Sequence, residues 1–172
     1  YPFATRLDRW NYVKDCLKEA ARMGEEFGVV MALQNHAPLI RHWKDTLDLV
    51  KEVNSPWLKI CLDLPIFENF DKEYVANAVK TVGNLQVHSH YGGEYVLDKN
   101  GVIKPKILDN HFGEPLPDYG HYISLMHEIG FSGYFTFELC HPVLLDDHTI
   151  AGIEYVHEQV KLARKYMAGI IG

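Results

Sequence analysis

Four short apolar runs in this 172-residue chain each end in side chains that can ligate a metal or move a proton. The first run ends in Gln34-Asn35-His36, the second in Asp63, the third in His88-Ser89-His90 and the fourth in Glu138-Leu139-Cys140-His141. Asp63, His90 and Glu138 together offer an oxygen, a nitrogen and an oxygen, a mixed carboxylate and imidazole set that suits Mn, Fe, Co or Zn better than a pure magnesium site. Each residue taken singly has an ordinary explanation: an Asp at a strand end is commonly a helix cap, and a buried His commonly satisfies one hydrogen bond. Their recurrence at four run ends changes the balance. Isolated buried charge is costly, so ionisable groups gather at buried strand ends only where they are paired or metal-bound.

The elements that must position these residues follow from periodicity. Thr5-Arg6-Leu7-Asp8 has the form of a capping box, with Leu7, Trp10, Val13, Leu17 and Ala20 at helical spacing behind it and a stop near Gly24 or Gly28. The run Val29-Val30-Met31-Ala32-Leu33 is continuous rather than alternating, which suits a strand buried on both faces of a parallel sheet. The alternation repeats three times. Helices marked by Trp43 to Val53, Tyr74 to Val82 and Ile123 to Ile129 are closed by Asn54-Ser55-Pro56, Gly83-Asn84 and Gly130, and each precedes a strand. A last amphipathic helix spans about 150–167. This reading gives four strands, five helices and one domain over residues 1–172. Helices alternating with continuous strands indicate βαβ units, and parallel α/β folds bind ligands at the carboxyl ends of their strands. Between His90 and Asp118 lies an abnormally long connection, rich in Gly and Pro, with Asp98 to Val102 as a small hairpin turn inside it.

Composition excludes several classes. The chain is 47% hydrophobic and 23% charged, as an ordinary globular domain is, and no apolar run is long enough for a membrane helix. A net charge of −6 with scattered Lys and Arg speaks against a nucleic-acid partner. Three cysteines, Cys16, Cys61 and Cys140, are an odd number placed within predicted elements, so no disulfide framework and a cytoplasmic location are expected.

The segments Met31 to His36, Lys59 to Asp63, Val87 to His90 and Phe135 to Glu138 resemble the last four strands of xylose-isomerase-like barrels. That superfamily includes ketose 3-epimerases, inosose dehydratases and, more distantly, endonuclease IV. Asn54-Ser55-Pro56 and Gly130-Phe131-Ser132-Gly133-Tyr134 agree with it. The resemblance implies a (β/α)8 TIM barrel of which this chain carries about the last four βα units, the N-terminal half lying outside it. It implies a divalent metal, Mn first with Mg, Co, Zn or Fe as alternatives, held by Gln34, Asp63, His90 and Glu138. Gln34 stands where the family has a glutamate. Ile66 and the stretch Tyr91 to Val96 lack a His and an Arg that the family usually carries.

The implied chemistry is proton transfer next to a carbonyl through a metal-stabilised enediolate, in a sugar isomerase or epimerase. An amide cannot take a substrate proton, so Glu138 is left as the one metal-bound base, with His36 and His88 as neutral catalytic candidates. A single base also suits a lyase acting on keto-sugars, a dehydratase or a C-glycoside-cleaving subunit. A third reading is a barrel that binds sugar without turning it over. His36, His88, His141 and Tyr91 are expected to touch the substrate, with Trp43, Phe112 and His111 as weaker candidates, while Glu94 and Lys106 read as solvated loop charges. Partners are then a small sugar and further copies in a homo-oligomer. Four strands alone would leave two open sheet edges and an uncovered inner face, so the other half-barrel comes from a preceding segment or from a partner chain.

Overall fold

A computed structural model of the chain describes residues 3–106, 117–139, 142–145 and 147–172. Helix α1 (Arg6–Phe27) opens on the expected capping box: Thr5 Oγ1 accepts from the Asp8 amide at 3.1 Å, and Asp8 Oδ2 accepts from the Thr5 amide at 2.9 Å. Its end is fixed by Gly28 at φ 67°, where an L side chain would be strained, and by the Val29 amide donating to Gly24 O at 2.8 Å. That bond ties Val29 to the helix end. Strand β1 therefore begins at Met31 and runs to Gln34, later than the apolar run indicates.

The chain then alternates as the periodicity requires: α2 (Trp43–Val53), β2 (Leu58–Cys61), α3 (Lys72–Val82), β3 (Gln86–Tyr91), the short strands β4 (Tyr95–Leu97) and β5 (Ile103–Pro105), α4 (Tyr119–Glu128), β6 (Tyr134–Phe137) and α5 (Ile153–Ile171). Strands β1, β2, β3 and β6 form one sheet in that order, parallel throughout, with α2, α3 and α4 as the crossovers. Asn54, left-handed at φ 52°, closes α2; Asp71 and Asp118 cap α3 and α4 through their carboxylates. The long connection after β3 holds the antiparallel β4–β5 hairpin, turned by Asp98, which accepts from the Asn100 and Val102 amides. Gln159 of α5 clamps this hairpin by accepting from the Tyr95 amide at 2.7 Å and donating to Tyr95 O at 3.2 Å.

The core lies on one side of the sheet. Leu58, Ile60 and Leu62 of the second strand segment face Leu47 and Val50 of α2, Val75, Val79 and Val82 of α3, and Tyr122 and Met126 of α4, all within one buried cluster. Each such aliphatic side chain contributes about 1.5–3 kcal/mol by leaving water. The other face is open, as four strands alone imply, although the continuous apolar run before Gln34 suits a strand covered on both sides. Ala32 and Thr136 are exposed there, and Tyr134 is 76% exposed. Four strands cannot close a barrel, which takes about eight, so the inner face stays open. A cavity of about 400 Å³ on it is bordered by Val30, Ala32, His88, Phe131 and Tyr134.

The α1 stripe also differs from expectation. Ala21 and Gly24 are its buried residues and Leu7 is exposed, while the first half of the helix meets α2 through polar pairs, Arg6 with Asp45 and both Trp10 and Lys14 with Glu52. Helix α5 starts at Ile153, since Ile150 is engaged in an isolated bridge with Leu144. No helix among the described residues is long and apolar enough to cross a membrane.

Candidate metal centre

Parallel register brings the candidate ligands together. Gln34 pairs with Cys61, Cys61 with His88 and His88 with Tyr134, so these residues form one row across the inner face. His90 and Thr136 form the next row towards the carboxyl ends of the strands. Asp63, two residues past Cys61, and Glu138, just past β6, complete the cluster.

His90 Nδ1 lies 3.5 Å from Asp63 Oδ2 and 3.5 Å from Glu138 Oε2. Ligand atoms at about 2.1 Å from one tetrahedral ion stand roughly 3.4 Å apart, so these spacings match the edges of a coordination shell. The carboxylate and imidazole ligand atoms of Asp63, His90 and Glu138 all lie within 4.8 Å of one another. Gln34 Nε2 donates to Asp63 Oδ2 at 2.5 Å and sits 3.4 Å from His90 Nδ1. Turning the amide over presents its carbonyl oxygen to the same point.

Burial makes this arrangement informative. Asp63 is 1% exposed, and its Oδ1 is buried with no hydrogen-bond partner among the described residues. Burial pushes the Asp63 carboxyl above its ordinary range, against the opposing pull of the Gln34 bond and the His90 ring. A buried carboxylate oxygen without a donor is costly unless a cation takes it. Two carboxylates with a neutral imidazole and an amide carry two negative charges, which a divalent ion balances. The residues present therefore fit such an ion.

Several backbone and side-chain contacts hold Asp63 in place. Asn35, 1% exposed, accepts from the Asp63 amide at 2.7 Å and donates to Asp63 O at 3.4 Å. Ser89 Oγ and Tyr122 Oη both donate to Leu62 O, at 2.6 and 3.1 Å, and Gln86 Nε2 donates to Tyr122 Oη at 2.7 Å. These buried polar groups brace the carbonyl and amide on either side of the ligand. The sequence reading passes over Asn35 as a site residue. Its one signal is an amide beside Gln34 on the opposite, core-facing side of the strand, where a polar side chain needs a specific partner. On the fourth strand, the Glu138 amide donates to Tyr91 O at 2.9 Å, tying that ligand to β3.

The other expected site residues fall in different places. His88 stands beside His90, their ring centroids 4.9 Å apart, and its Nε2 contacts Thr136 Oγ1 at 3.0 Å. Burial, then the neighbouring His90 ring, holds His88 below the ordinary imidazole range, which favours the neutral form at pH 7. His36 is exposed on the rim, its Nδ1 donating to Ala37 O at 2.7 Å. Tyr91 needs correction as a substrate contact. Strand alternation turns it away from His90 and into the core, where it stacks on Phe135 at 5.4 Å and meets Phe137 and Tyr119. Trp43 is likewise a core residue. Glu94 is a second correction: it is nearly buried, accepting from Tyr155 Oη at 2.5 Å and facing Lys106 Nζ at 3.4 Å. His111, Phe112, Cys140 and His141 lie outside the described residues.

Known structures share this architecture. D-psicose 3-epimerase from Clostridium cellulolyticum H10, solved with D-tagatose, superposes with a TM-score of 0.72 at 17% identity, covering 98% of this chain and 58% of that one. D-allulose 3-epimerase from Methylomonas sp. gives 0.74 at 15% identity, with 99% and 58% covered. The IOLI protein, solved with a binding zinc atom, gives 0.63 at 20% identity, with 98% and 58% covered. At these identities the likeness is one of fold, and the chain spans a little under three fifths of each neighbour's length. No curated protein matches the chain in sequence. Residues 2–165 match the family described as the xylose isomerase-like TIM barrel, and since that match takes in nearly every element described above, the chain belongs to this family.

Proposed function

We propose that the chain carries the metal-binding part of a sugar isomerase or epimerase, and that it forms the last four βα units of a (β/α)8 barrel completed by a preceding segment or by another polypeptide. The convergence of Asp63, His90 and Glu138 at the carboxyl ends of three adjacent strands carries this reading. The sugars named for two of the fold neighbours, D-tagatose and D-allulose, support the substrate class. Gln34, Asp63, His90 and Glu138 would hold a divalent ion, with Mn(II) proposed first because the donor set mixes oxygen with nitrogen. Such an ion supplies Lewis-acid polarisation and a template for substrate oxygens.

The protein's own groups then divide the remaining work. Asp63 is sealed and braced, so it holds charge and position without touching substrate. Glu138 is far more open, with its side chain 36% exposed, and is the carboxylate able to meet a substrate C–H next to a carbonyl. Gln34 cannot accept that proton, and its amide instead orients a ligand carboxylate. His88, kept neutral and fixed by Thr136, is placed to donate to or accept from a substrate hydroxyl. His36 on the rim is proposed as a further substrate contact. Free Cys16 and Cys61 accord with a reducing, cytoplasmic setting.

A second reading, a keto-sugar lyase, is favoured by the same Gln34, which leaves one carboxylate base where two-face epimerisation uses a pair. Incubating the full chain with Mn(II) and keto-sugars in D2O separates the readings. Deuterium entering one carbon beside the carbonyl, without loss of a leaving group, supports the isomerase or epimerase. Release of water or an aglycone supports the lyase, and binding with neither supports a non-catalytic barrel. Glu138→Gln should lower the exchange rate by about 10²–10⁴-fold.

A further inference from the structure

Cys61, which the sugar chemistry does not use, completes a second set of ligands with His88 and His90 beside the proposed centre. Cys61 Sγ and a ring nitrogen each of His88 and His90 lie within 4.8 Å of one another. Cys61 is the register partner of His88, and His90 follows two residues on along the same face. Cys61 Sγ stands 3.9 Å from His90 Nδ1. Sulfur at about 2.3 Å and nitrogen at about 2.1 Å on one tetrahedral ion lie roughly 3.6 Å apart, so a few tenths of an ångström of closure completes the contact. The thiol is free rather than disulfide-bonded. Its surroundings are an imidazole pair on an inner face that is open to solvent at Thr136 and Tyr134, which leaves a path and a fourth position for an ion.

We propose that Cys61, His88 and His90 form a second, thiophilic metal position, for Zn(II), Cd(II) or a similar soft or borderline ion, and that it competes with the Asp63–His90–Glu138 position because both draw on His90. Thiolate and imidazole donors select such ions, whereas the carboxylate-rich position one row higher selects harder ones. Binding releases the Cys61 thiol proton to solvent. His90 Nδ1, 3.5 Å from both carboxylates and 3.9 Å from Sγ, cannot serve two ions at once. A captured soft ion therefore withdraws His90 from the hard position and blocks it. The soft position stands on its own donor set, while the competition rests on the hard position proposed above.

Titrating the full chain with Cd(II) should raise a thiolate-to-cadmium charge-transfer band in the near ultraviolet. A Cys16→Ser/Cys140→Ser variant, which keeps Cys61 as its only thiol, should retain the band. Cys61→Ser should lose it and weaken Cd(II) binding by more than about tenfold, while Mn(II) binding read by paramagnetic resonance persists. Asp63→Ala should show the reverse pattern, keeping the band and losing Mn(II). In the unsubstituted chain, X-ray absorption at the cadmium edge should show one sulfur with nitrogen neighbours, and Cd(II) should displace Mn(II) one for one. A band absent from the unsubstituted chain, or lost in Cys16→Ser/Cys140→Ser, overturns the site. Cadmium and manganese bound together overturns the shared His90. Absence of Mn(II) binding from the unsubstituted chain, with the cadmium band intact, defeats the proposed hard centre and leaves this one standing.

Discussion

Replacing Asn35 with alanine separates bracing of the metal ligand from general stability. The Asn35 amide makes two contacts to the Asp63 backbone, a strong one at 2.7 Å and a weak one at 3.4 Å, in a fully buried setting. Truncation leaves a buried N–H without an acceptor, which costs about 1–3 kcal/mol, with a small void added. We expect a loss of about 2–3 kcal/mol in folding stability. With a urea slope near 2 kcal/mol per molar, that is a fall of about 1 M in the unfolding midpoint. Freed from its clamp, Asp63 should also lose its place against His90, weakening divalent-metal affinity by about 10–100-fold. Gln159→Ala is the matched control. It removes a similar pair of buried backbone contacts, at 2.7 and 3.2 Å, but from Tyr95 on the hairpin. It should destabilise the fold comparably and leave metal affinity unchanged. Urea melts and Mn(II) calorimetry on both variants decide the matter. If Asn35→Ala weakens metal binding no more than Gln159→Ala does, the bracing argument is wrong.

Three further outcomes follow from the same geometry. A Cβ on Gly133 would lie 1.9 Å from Val87 O, so Gly133→Ala must push β6 from β3 by about 1 Å or more and should cost about 3 kcal/mol in a denaturant melt. Gly169→Ala on open helix surface should instead stabilise by about 0.5–1 kcal/mol, and equal effects from the two would refute the close approach. The Lys104 ammonium, then the Val102 and Asn100 amides, hold Asp98 down to about 2 from its ordinary 3.8. Its contribution to the hairpin is therefore fully present above pH 3.8 and lost as pH falls through about 2, which the Val102 and Asn100 amide resonances should track; collapse already above pH 3.8 would contradict it. Gln34→Glu sets a third carboxylate beside Asp63 and Glu138, so melting temperature should fall without metal and rise with Mn(II). Unchanged metal affinity would show that position 34 does not reach the ion.

Much of this was legible in the residues because the strands carry a simple code. Apolar runs closed by Asn54, Gly83 and Gly130 mark where helices stop, and the side chains at strand ends mark the centre. What stayed hidden depends on which way a residue points. Tyr91 follows His90 directly, so alternation sends it to the core, and nothing in its type tells an aromatic floor from a packed ring. Glu94 reads as solvated until α5 brings Tyr155 and Gln159 to the hairpin, a contact between segments some sixty residues apart. The start of β1 shifts because Val29 closes a helix before it can join a strand. Leu7 fits the helical period, yet the first turns of α1 meet α2 through polar pairs of Arg6, Trp10 and Lys14, and Leu7 stays exposed.

The central claim is that Asp63, His90 and Glu138 hold one divalent ion. Mn(II) binding to the full chain, measured by paramagnetic resonance beside Asp63→Ala, His90→Ala and Glu138→Ala, tests it most directly. One ion per chain is expected, with a loss of affinity of more than about tenfold in each variant. Equal binding in all four proteins, or none in any, would contradict it.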